Sequence, residues 1–127
     1  MPRKVLLVGL DPRVIDFSDP VFAGGPALDA AKVQAGLDAA EAALRALGYE
    51  ARWRLTDLGE TAEAIVRSDL TSTAYDCVLI GGGIRLIPAH FALFEKLINV
   101  IHEHAPQARI AFNANPADTV DAVRRWV

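Results

Sequence analysis

Two short runs in this chain leave nothing for water to hydrate. Val5-Leu6-Leu7-Val8-Gly9-Leu10 and Cys77-Val78-Leu79-Ile80 are unbroken apolar stretches, stopped by Asp11-Pro12 and by Gly81-Gly82-Gly83. A strand that is apolar at every position needs cover on both faces, which a parallel sheet flanked by helices provides. The stretch between them changes period. Val33, Leu37, Ala40, Leu44 and Leu47 recur at steps of four and three beside a Glu41–Arg45 pair, and Gly48 supplies a helix stop. Glu50–Leu55 instead alternates Ala51, Trp53 and Leu55 with Glu50, Arg52 and Arg54, the period of a strand with one wet face. Its arginines suit an exposed sheet edge.

Asp57-Leu58-Gly59-Glu60 has the spacing of a capping box and predicts a second helix carrying Ala62, Ile65, Val66 and Leu70, ended by Thr71-Ser72-Thr73. Pro88 is expected to open a third helix, whose Phe91, Leu93, Phe94, Leu97, Ile98, Val100 and Ile101 cover more than the ~100° arc of a single packing face. Phe91, Phe94, Ile98 and Ile101 are assigned to the sheet, and Leu93, Leu97 and Val100 to an uncovered flank. Arg109–Phe112 reads as a last strand with little central charge. Asn115-Pro116-Ala117-Asp118, with Asn115 as N-cap, starts a helix with Val120, Val123 and Trp126.

Four alternating strand and helix units predict an α/β fold, a three-layer α/β/α sandwich with a four-stranded parallel sheet in the order 2-1-3-4, forming one domain over residues 1–127. On these elements the chain resembles a flavodoxin-like or receiver-like domain lacking its fifth strand. The resemblance is one of fold. A receiver has paired acids after strand one and a phosphoacceptor after strand three, whereas here Asp11 stands alone and glycines follow strand three. A flavodoxin's Ser/Thr-rich phosphate loop and the Asp-x-His-x-x-Gly of cobalamin domains are also missing, so no cofactor is implied.

Composition narrows the function classes. With 127 residues, 52% of them hydrophobic, the chain can build one globular core. A net charge of −3 argues against nucleic acid and against an anionic membrane surface as partners. One cysteine precludes an internal disulfide and suits a reducing compartment. After Met1-Pro2-Arg3-Lys4, the run Val5–Val8 is too short for a signal peptide or a span, so a cytoplasmic location is expected.

In an open α/β sheet, ligands bind beyond the carboxyl ends of the strands where the strand order reverses, here between strands one and three. Two loops lead there. Asp11–Pro26 is long and carries Val14, Ile15, Phe17, Val21 and Phe22 among Asp11, Arg13, Asp16 and Asp19. It reads as a lid, as a docking patch, or as an irregular segment tucked onto the domain. Asp11, Asp16 and Asp19 have the oxygens for a hard cation, but acids beside prolines are also ordinary turn chemistry, and no metal is assigned. The second loop offers Gly81, Gly82 and Gly83, whose backbone amides could converge on an anion, with Arg85 to fork it. The competing reading is a tight turn that needs positive φ.

His90, near a helix start, and Asp11 are the candidate proton-transfer groups. Arg13 is placed with Asp11 among ligand-binding candidates, and Asn113 ends the last strand where its amide could orient a ligand. Cys77 reads as a core residue, and His102 and His104 face different ways. Two functions compete: a non-catalytic ligand-binding or protein-interaction module with a small-anion site, and a small enzyme acting on an anionic substrate through Asp11 or His90. The open edge of Arg109–Phe112 and the apolar flank of the third helix lead to an expected homodimer.

Overall fold

The computed structural model describes residues 2–127; Met1, the start of the basic lead, lies outside them. Strands β1 (Lys4–Leu10), β2 (Glu50–Thr56), β3 (Cys77–Ile80) and β4 (Arg109–Phe112) form one parallel sheet in the order β2-β1-β3-β4. Helices α1 (Ala30–Ala46), α2 (Ala62–Ser72), α3 (Gly82–Arg85), α4 (Phe91–His104) and α5 (Thr119–Arg124) fill the connections and the end of the chain. The two all-apolar strands are the inner pair, as their composition requires. Residues 5–8 and the whole of β3 have no exposed surface. Because successive side chains point to opposite faces, each strand feeds two cores. Leu6, Val8, Val78 and Ile80 meet α2 and α4 on one side, while Val5, Leu7, Cys77 and Leu79 meet α1 and α5 on the other.

Three local expectations are corrected. The carboxylate of Asp57 does not cap α2, which begins at Ala62 behind Thr61. It accepts instead from the Gly59 and Thr61 amides and, at 2.6 Å, from the Thr61 hydroxyl, which hold its pKa down at about 2. Glu60 is exposed. Gly81, Gly82 and Gly83 do not form a positive-φ turn; the left-handed glycines are Gly24, Gly48 and Gly59. The run enters the single turn α3, and Pro88 opens a 3₁₀ turn, Pro88–His90, that leads into α4.

The third correction concerns which side of α4 is covered. Leu93, Leu97, Val100 and Ile101 are buried, Phe94 and Ile98 are half-buried, and Phe91 is 64% exposed. The flank assigned to water is therefore packed, because α2 lies beside α4 on the same face of the sheet and shares its core. An apolar arc spanning half a helix does not reveal its own centre.

Both sheet edges are guarded by arginine. On β2, Arg52 and Arg54 converge on the buried Asp69 of α2 at 2.8 and 2.6 Å, and Arg52 also donates to the Tyr75 hydroxyl. Burial alone would raise the Asp69 carboxyl, but hydrogen bonds from Arg54 and Arg52 outweigh it and hold its pKa below the usual value. The face expected to be wet is thus bridged to a helix. On β4, the Arg109 amide donates inward to the Asp76 carbonyl, so alternation turns the backbone groups of Ile110 and Phe112 outward. Arg125, just past α5, donates to the Phe112 carbonyl at 3.2 Å. An edge that looked bare in sequence is partly capped from elsewhere in the chain.

Candidate functional site

The site grows from glycines at the carboxyl ends of β1 and β3. The Gly81 amide donates to the Val8 carbonyl at 2.8 Å, keeping the chain against β1 after β3 ends. It then passes beneath the segment that follows β4. A Cβ on Gly82 would lie 2.7 Å from the Ala114 carbonyl oxygen, closer than real side chains come, whereas one on Gly83 would meet nothing nearer than Leu10 at 3.9 Å. Gly82 is therefore a close-approach glycine. Gly9, inside β1, has a related role, since a Cβ there would stand 3.0 Å from the Trp53 ring. Trp53 is fixed by a 2.9 Å hydrogen bond from its Nε1 to the Leu37 carbonyl.

These approaches leave a cavity of about 250 Å³. Gly9, Gly81, Gly82 and Gly83 lie along it, together with Val33 and Leu37 of α1, Trp53 of β2, Leu86, Ile87 and Pro116. Ile15, Val21 and Phe22 reach it from the long segment after β1. That segment is held by its own aspartates. Asp11 and Asp19 cap the 3₁₀ turns Pro12–Val14 and Pro20–Phe22, and Asp16 accepts from the amide and hydroxyl of Ser18. The Phe17 and Phe22 rings pack 5.4 Å apart. The acids considered for a cation thus act as turn staples, and among the described residues no group of three or more His, Cys, Asp or Glu is placed to hold a metal ion.

The predicted site residues divide into two groups. Gly81, Gly82, Gly83 and Asn113 line the cavity; Asp11, Arg13, Arg85 and His90 do not. Asp11 is engaged by the fork of Arg13, at 3.0 Å from Nε and 2.6 Å from Nη2, and these bonds lower its pKa. Arg85 donates from Nη2 to the Asn113 carbonyl at 3.0 Å, and its guanidinium lies 5.7 Å from the centre of the Phe112 ring. His90 places Nδ1 3.0 Å from the Gly83 carbonyl, an acceptor, so Nδ1 carries the proton. Asn113 is buried with both ends of its amide engaged: Oδ1 accepts from the Gly82 amide and Nδ2 donates to Thr119 Oγ1, both at 2.8 Å. It latches β4 to α3 and α5. None of the candidate acid, base and cation side chains lines the cavity. Cys77 is buried, and burial with the nearby Asp76 charge pushes its thiol up to about 12, far from a nucleophile's range.

Val33, Leu37 and Trp53 were read only as packing residues. One signal for them was present in the sequence: a glycine inside an otherwise apolar strand, Gly9, marks a spot where something approaches closely. No protein-family model matches the chain, and a search of curated proteins returns no relative. Among the described residues, no helix is long and apolar enough to cross a membrane.

Proposed function

We propose that the chain is a non-catalytic module that binds a small molecule in the cavity at the carboxyl ends of β1 and β3. One observation carries this reading: a largely apolar hollow of about 250 Å³ lies where the strand order reverses, reached by a long apolar segment. Its form is that of ligand pockets in general, concave and mostly apolar with few polar groups, and its volume falls just below their usual range of about 300–1,000 Å³. Val21 and Leu28, 45% and 42% exposed at its rim, are apolar surface that a bound molecule would cover. The enzyme alternative has less support, because no titratable side chain lines the cavity and both Asp11 and His90 are engaged elsewhere.

Val33 lines the cavity from the first turn of α1 and is only half-buried, so Val33→Phe should fill the space without disturbing the core. A thermal-shift screen with small organic fragments is expected to find compounds that raise the melting temperature of the wild type and leave that of Val33→Phe unchanged. Saturation near a hundredfold excess over Kd would add about 2.7 kcal/mol. A library with no stabiliser, or with stabilisers equally effective on both proteins, would overturn the reading.

A further inference from the structure

Resting on the cavity as the binding site, we infer its ligand class: an uncharged, apolar compound no larger than two fused rings. Size sets the upper bound, since an apolar cavity of about 150 Å³ holds benzene. The space of about 250 Å³ has room for a second ring, and a larger skeleton would extend past the rim. Among the described residues, no charged side chain lines the walls. Arg13 is paired with Asp11, and Arg85, with neither a carboxylate partner nor, for its buried Nε, any hydrogen-bond partner among those residues, stays outside the lining with Nη2 on the Asn113 carbonyl. A carboxylate or phosphate entering the cavity would give up its hydration among apolar side chains with no charge to replace it. This departs from the anion expected of Gly82, Gly83 and Arg85.

The polar groups at the site point the same way, because most of them are spent within the protein. Asn113 is satisfied by Gly82 and Thr119, Asn115 Oδ1 accepts from the Ala117 amide, and Trp53 Nε1 donates to Leu37. A ligand rich in hydroxyls, such as a sugar, would leave its own groups unpaired. Apolar contact and shape remain as the source of affinity.

Trp53 provides the readout. Trp126, the other tryptophan, is half-exposed beside Arg109 and away from the cavity, so Trp126→Phe isolates the emission of Trp53. Titration with indane and indan-2-ol is expected to change that emission, with Kd at least tenfold below that of indane-2-carboxylate and with no response to inorganic phosphate. Val33→Phe should abolish the response; Leu86→Phe, at an exposed rim position, serves if the first variant does not fold. Binding of the carboxylate or of phosphate as tight as that of the neutral pair, and lost in the filled variant, would overturn the ligand class while leaving the cavity as a binding site. Silence from all four probes, together with a fragment screen empty of cavity-dependent hits, would overturn both.

Discussion

A methyl group separates two neighbouring glycines in what they tolerate. Gly82→Ala places a Cβ 2.7 Å from the Ala114 carbonyl oxygen, and backbone must move to admit it. We expect a loss of about 1–3 kcal/mol, the usual cost of overpacking. Gly83→Ala meets only Leu10 at 3.9 Å, within a helical turn, and should be neutral or stabilising by up to about 1 kcal/mol through a less flexible unfolded chain. Urea denaturation of the two variants checks this, and equal losses would refute the close approach. The glycine run was conspicuous in sequence, but of its two readings, an anion cradle and a positive-φ turn, neither anticipated the close approach at Gly82. The obstacle it avoids belongs to a segment some thirty positions away, as does the Asn113 side chain that receives the Gly82 amide. Asn113 was picked out by its place at the end of a strand; that its amide would be consumed internally depended on Thr119 and on α3 arriving beside it.

The joint between α2 and the β2 edge rests on one buried carboxylate shared by two arginines. Asp69→Asn is expected to cost about 1–3 kcal/mol at neutral pH, since the arginines are part-exposed and water softens their loss. The pH dependence has a definite sign. A carboxyl whose folded pKa lies below its unfolded value contributes stability that is complete above about pH 4 and disappears as pH falls through the folded value. The gap between wild type and Asp69→Asn, followed by chemical denaturation across acid pH, should therefore stay constant down to about pH 5 and shrink below about pH 4. A gap independent of pH would remove the ion cluster from the account. Element types and order were legible because each rests on local periodicity. Their exact starts were less so: Asp57 had capping spacing, but Thr61 competed successfully for its oxygens.

At the scale of the whole molecule, the argument for a dimer had relied on a flank of α4 left open to water. Leu93 on that flank is 6% exposed and lies in the core shared with α2 and the sheet. Leu93→Glu should therefore destabilise the fold itself, by about 3 kcal/mol or more, to the same extent at low and high protein concentration. Retained stability with altered sedimentation would instead place Leu93 at a contact between copies. Sequence alone determined the layer architecture and the strand order of this protein. An all-apolar strand is stable only between two neighbours and two layers of helix, and the alternating strand suits an edge; both are properties of consecutive residues. Tertiary structure alone decided which half of α4 is buried, which carboxylate draws Arg52 and Arg54 inward, how Arg125 shields β4, and that the point where strand order reverses holds an apolar cavity lined by no charged side chain among the described residues. Each of these is a contact between residues far apart in the chain, and periodicity carries no information about distant pairs.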